Sequence, residues 1–258
     1  MAHASYAFAK SIDNQSVDPI ASSSSGGLST TNSRTPADTS NWRNERAVSD
    51  FDRRHVFNTA WLYELPFGKN RAFLGSASGV LNHIAGGWSL NGIFSAYTGE
   101  PWTITSGTRT NNASHVSRAA LLTSELPSFS LKQQAGSVGP VLVTQAEKER
   151  YFGIPAPGEN GMGRNLFRGP GYWNFDLSVQ KNFVLTERFR LQFRAETFNT
   201  FNHASFQNPS SASSGSNQIT SARFGETCCE AVAPNTTSNI IQTGESGRVV
   251  QFGLKLRF

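Results

Sequence analysis

The amino-acid sequence predicts an all-β protein, an antiparallel transmembrane β-barrel segment of about six long strands with long extracellular loops. Three observations predict it. The composition suits strands and loops, six segments alternate apolar with polar residues, and the connections between those segments alternate long with short. Hydrophobic residues make up 37% and charged residues 16% of the chain, while aromatics reach 11%. A helical bundle would carry more Ala, Glu, Lys and Leu, and a disordered chain fewer aromatics. No apolar run approaches the ~18 residues that a spanning helix needs, so a membrane would be crossed by strands.

The elements follow from period-two alternation, because successive side chains on a strand face opposite sides. Residues 4–10 form the weakest of the six candidates. Residues 54–65 carry His55, Phe57, Thr59, Trp61 and Tyr63 on one side. Pro66 and Gly68 then supply turn chemistry, and residues 76–85 are expected to form a short helix before a strand over 88–99. Further on, Trp173, Phe175, Leu177 and Val179 alternate with Asn174, Asp176, Ser178 and Gln180. Phe189, Leu191, Phe193, Ala195 and Thr197 alternate with Arg188, Arg190, Gln192, Arg194 and Glu196. Only residues 184–187 join these two, which is hairpin spacing. The last strand, 248–258, sets Val250, Phe252, Leu254, Leu256 and Phe258 against Gln251, Gly253, Lys255 and Arg257. An apolar face running out on a terminal Phe reads as the closing strand of a bacterial outer-membrane barrel.

The connections are long at 11–52, shorter at 66–87, very long at 100–172, tight at 184–187 and long at 201–247. Outer-membrane barrels have short periplasmic turns and longer extracellular loops, and a tilted strand of about ten residues spans the hydrocarbon layer. With Phe258 at the periplasm, the tight turn falls inside and all three long connections fall outside. The scheme survives only if 100–172 contains an even number of strands; a stretch such as 102–106 could fold out there as a β-loop. Trp61, Tyr63, Trp88, Tyr97, Tyr172, Trp173 and Phe258 lie near strand ends, where interfacial girdles belong.

The candidate lumen-facing residues are Asp176, Gln180, Arg188, Arg190, Arg194 and Glu196. A strand face lined with Arg could contact an anionic solute or a plug. The other reading pairs the arginines with Asp176 and Glu196 across the hairpin. Val250, Phe252, Leu254, Leu256 and Phe258 are the outer-membrane C-terminal signature.

No catalytic, cofactor-binding or metal-ligating constellation can be argued from spacing, and no enzyme is expected. The five histidines are scattered, no nucleophile elbow occurs, and Gly158 to Gly163 lacks the strand and helix of a phosphate loop. Glu147, Lys148, Glu149 and Arg150 read as a solvated loop turn. Cys228 and Cys229 are adjacent and cannot staple distant segments; a strained vicinal disulfide and two free thiols both stay open. The net charge of +5 comes from scattered Lys and Arg, so no nucleic-acid surface follows.

The runs Gly163-Arg164-Asn165-Leu166-Phe167-Arg168-Gly169-Pro170-Gly171-Tyr172-Trp173-Asn174-Phe175-Asp176-Leu177-Ser178 and Phe193-Arg194-Ala195-Glu196-Thr197-Phe198-Asn199-Thr200-Phe201-Asn202-His203, with the terminal strand, resemble the TonB-dependent outer-membrane receptors. The likeness is to the large Oar-like members that carry a carboxypeptidase-regulatory-like domain ahead of the barrel. Phe8 to Asp13 and Gly86 to Gly92 also fit. The resemblance implies a barrel of about 22 strands around a plug, driven through TonB, which meets a segment ahead of the plug. Residues 1–258 then correspond to the C-terminal part of such a barrel. The first eight residues carry no secretory leader, so an incomplete part of a larger barrel is expected. Outer-membrane lipid and the barrel-assembly machinery, the latter through the C-terminal strand, are the expected partners. The alternative fold is a secreted or surface β-sandwich that binds carbohydrate or mediates adhesion.

Overall fold

The six alternating segments pair into one antiparallel sheet in a computed structural model, which describes residues 1–14, 16, 38, 40–110, 117–186, 188–209, 216–227 and 247–258. The long strands are β1 (Ala2–Phe8), β4 (His55–Glu64), β5 (Trp88–Tyr97), β10 (Tyr172–Val184), β11 (Arg190–Phe198) and β12 (Val249–Arg257). Their order across the sheet is their order along the chain, β1-β4-β5-β10-β11-β12. This is a meander. Among the described residues β1 pairs only with β4 and β12 only with β11, so the sheet is open at both edges.

The register makes the sheet two-faced, because directly opposed residues share a side. Trp61, Gly92, Leu177, Thr197 and Val250 lie in one row across β4, β5, β10, β11 and β12. Tyr63, Leu90, Val179, Ala195 and Phe252 form the next row. The opposite face carries Ser89, Gln180, Arg194 and Gly253 in one row, and Asn91, Ser178, Glu196 and Gln251 in the next. A one-residue slip anywhere would carry arginines onto the apolar side, so the alternation itself fixes the register. No second sheet packs on this apolar face among the described residues, as a β-sandwich would require.

Between β4 and β5 lies α1 (Gly79–Ala85), within the expected range. Gly68 in the preceding turn adopts φ +111°, and a Cβ there would stand 2.7 Å from the Cα of Gly86, so the turn closes only with glycine. No helix among the described residues is long and apolar enough to cross a membrane, which says nothing of crossing by strands.

The long connections differ from the loops expected of them. They hold three separate two-stranded ladders: β2 (Ile12–Asp13) with β3 (Ala47–Val48), β6 (Pro101–Trp102) with β9 (Phe167–Arg168), and β7 (Ala120–Leu121) with β8 (Phe152–Gly153). Residues 100–172 therefore contain four short strands, an even number, and the alternation of directions is kept. Trp102, Ile104, Leu142, Val143, Phe152, Phe167, Ile219 and Phe224 pack into a buried core there. That core draws on both 100–172 and 201–247, so the two connections fold together as one lobe.

Residues 147–150, expected as a loop turn, belong to α2 (Gln145–Tyr151). Thr144 accepts a hydrogen bond from the Glu147 N–H at 3.2 Å while Glu147 accepts one from the Thr144 N–H at 2.9 Å. This capping box satisfies donors that would otherwise be orphaned and starts the helix. Cys228 and Cys229 lie outside the described residues.

Candidate functional site: a polar sheet face beneath a folded lobe

The hairpin of β10 and β11 brings most of the sequence-derived site residues together. Asp176, Gln180, Arg190, Arg194 and Glu196 share the polar face, with Gln180 opposite Arg194 and Val184 opposite Arg190. Arg188 does not join them. The strand begins at Arg190, and Arg188 stands exposed in the turn, because the closing bonds run from Leu185 and Thr186 N–H to the Phe189 carbonyl.

Among the described residues, ion pairing on this face runs along the strand and not across the hairpin. Arg194 Nη1 lies 3.2 Å from Glu196 Oε1, two residues on. Asp176 instead accepts from Asn174 Nδ2 and from the Asn199 N–H, both at 2.9 Å. Asn199 then exchanges two bonds with His203, its side chain donating to the carbonyl and accepting from the N–H at 2.9 Å each. Asn199 and Asn202 sit at φ +48° and +53°, a region Asn tolerates better than other side-chain-bearing residues. Asp176 thus anchors the exit of β11.

On the other face, Val250, Phe252, Leu254 and Leu256 of the terminal strand stand exposed opposite Thr197, Ala195, Phe193 and Leu191. Phe258 follows the strand and is fully open.

Sequence reasoning missed the polar network that ties the 11–52 connection to the lobe. Arg118 donates to both carboxylate oxygens of Glu45, at 2.8 and 3.1 Å, with both side chains buried. Arg164 is buried among Ser16, Asp13, Asp50 and the Glu45 carbonyl. Arg168 pairs with Asp52, whose second oxygen accepts the Ser11 N–H at 2.6 Å. Asn165, at φ +56°, donates to Asp50 at 2.6 Å and to the Val48 carbonyl at 2.7 Å. Burial opposes ionisation of Asp13 and Asp52, but their hydrogen bonds and the facing arginines outweigh it and hold both carboxyls below the ordinary aspartate value. The signal lay in the run Gly163 to Gly171, whose arginines and asparagine all find partners some 110 to 150 residues upstream.

Where the lobe meets the sheet there is a cavity of about 550 Å³. Tyr97, Tyr172, Trp173 and His203 line it from the sheet side, and Phe129 and Leu142 from the lobe. Tyr97 and Tyr172 stack at 5.4 Å with their planes 12° apart, and His203 lies 4.0 Å from the Trp173 ring. Among the described residues no group of three or more His, Cys, Asp and Glu could hold a metal ion.

A family model described as an outer membrane beta barrel domain matches residues 1–230, which include five of the six long strands. No curated protein and no solved structure matches the chain.

Proposed function

Because the chain belongs to the outer membrane beta barrel domain family, and so to the bacterial outer membrane, we propose that it is wall from a TonB-dependent receptor, lining the path along which a scarce ligand is taken up. The supporting observation is the two-faced sheet, in which Gln180, Arg190, Arg194 and Glu196 all stand on the side opposite Leu177, Val179, Phe193 and Phe252. Lipid takes the apolar side, so the charged side faces the lumen and offers guanidinium groups to a polar or anionic solute. The wall is passive: it carries charge and shape, while contact with TonB would be made by the plug and leading segment that the resemblance sets ahead of the barrel.

The orientation follows from loop length. Short turns are periplasmic and long connections extracellular, so the hairpin turn after Val184 and the connection bearing α1 point to the periplasm, and the lobe to the outside. The terminal strand, with Phe252 and Leu254 exposed on its apolar side, is the part offered to the assembly machinery.

The test compares uptake from a defined medium by strains with the gene, without it, and with TonB depleted. A compound whose uptake is lost in the second and third strains alike supports the reading. Unchanged uptake of every compound in the deletion strain overturns it.

A further inference from the structure

Lys181 is a buried cation on the apolar face, in the row of Trp88, Phe193 and Leu254. Its ammonium donates to the carbonyls of Ile84, at 3.0 Å, and of Gly86. The rings of Trp88 and Phe183 lie 5.0 and 5.2 Å from it. Trp88 Nε1 donates to the same Ile84 carbonyl at 2.9 Å. Two residues of the lipid-facing side therefore take the free carbonyls at the end of α1, where a cation is favoured. The helix is clasped to that side of the wall.

What α1 leaves open is apolar. Val80, Leu81 and Ile84 fall on one face of the helix, at spacings of three and four, and are 74%, 52% and 65% exposed. Phe73 and Leu74 of the same connection are exposed as well. The polar side of the connection holds Lys69, Arg71 and His83, which line a pocket of about 200 Å³ with Asn182 and Val184 of the polar sheet face. The Lys69 N–H donates to the Asn82 side chain at 2.7 Å, and Arg71 meets Glu64 at 2.7 Å on the surface. The basic residues thus lie toward the polar side, while exposed apolar side chains on the other face of the helix, at the depth where strands end, match the acyl boundary of a leaflet.

We propose that the connection between β4 and β5 is a membrane anchor, with Val80, Leu81 and Ile84 among the acyl chains of the periplasmic leaflet. The proposal rests on the outer-membrane orientation given above. Lys181 and Trp88 position the helix. The continuity of α1 with the lipid-facing row at Trp88 favours lipid over a protein partner.

The test uses the full chain with Cys228→Ser and Cys229→Ser, carrying one fluorophore on Leu81→Cys, Tyr63→Cys or Val138→Cys. Each is refolded into vesicles of phosphatidylcholine with brominated phosphatidylcholine as quencher. Leu81 on the helix and Tyr63 on the apolar face of β4 are expected to be quenched, and Val138 in the lobe is not. Quenching at Tyr63 without quenching at Leu81 overturns the anchor and leaves the barrel standing. Loss of quenching at both overturns the barrel reading itself.

Discussion

Arg118 grips Glu45 with two parallel hydrogen bonds, at 2.8 and 3.1 Å, across 73 residues of sequence and with both side chains out of water. The pair joins the connection after β1 to the lobe between β5 and β10. Its fork geometry is the strong form of ion pairing, and its burial makes it intolerant of losing one member.

Glu45→Ala strands the Arg118 guanidinium in the interior, at a cost of roughly 3 to 5 kcal/mol to the lobe. Limited proteolysis of the chain in vesicles checks this: the lobe is expected to be cut far faster while the strand signal in circular dichroism stays. Equal resistance in the variant and the parent would falsify the role given to the pair.

The carboxyls of Asp13 and Asp52 are held below their ordinary value. The stability they contribute is fully present above the unfolded-state value, near 3.9, and is lost as pH falls through the lower folded-state value. The tie between the 11–52 connection and the lobe is therefore expected to hold at neutral pH and to loosen below about pH 4. Hydrogen exchange of residues around Arg164 and Arg168, followed from neutral to acid, is the measurement. Asp52→Asn should remove part of the acid-dependent loss by weakening the tie at every pH.

Period two is a local signal, so the sheet was legible: Leu177 and Val179 declare their face two residues apart, and a slip would expose the contradiction at once. The lobe was not legible. Trp102, Val143, Phe152, Phe167 and Phe224 come from short separate runs that share no period, and they meet only through contacts distant in sequence. The same holds for Glu45 and Arg118, each unremarkable alone. Arg188 lies outside the strand, although the alternation of the sequence runs on into the turn. The start of α2 could have been read, since Thr144 followed by Glu147 is a capping-box spacing.

Gly92 sits mid-strand in β5, directly opposite Trp61 and Leu177 on the apolar face. A Cβ there would stand 2.4 Å from the Trp61 ring, so the indole lies over the glycine. Gly92→Ala is expected to push Trp61 out and cost about 1 to 3 kcal/mol by overpacking. Urea unfolding from vesicles reads the cost, and the double variant with Trp61→Ala should recover part of it, since the two sites share one space. Additive losses would count against the packing described.

Phe224 is completely buried, 6.3 Å from the rings of both Trp102 and Phe152. It comes from the 201–247 connection, whereas its two neighbours come from 100–172, so this ring is where the two connections become one lobe. Phe224→Ala opens a cavity that the surrounding aromatics cannot fill without leaving their own contacts, and the expected loss is roughly 3 to 5 kcal/mol. Val138→Ala, at a fully exposed position of the same lobe, should change stability by no more than about 0.5 kcal/mol. Thermal unfolding followed by Trp fluorescence separates the two. If both substitutions leave the transition unmoved, the connections are independent loops and the buried core does not hold them together.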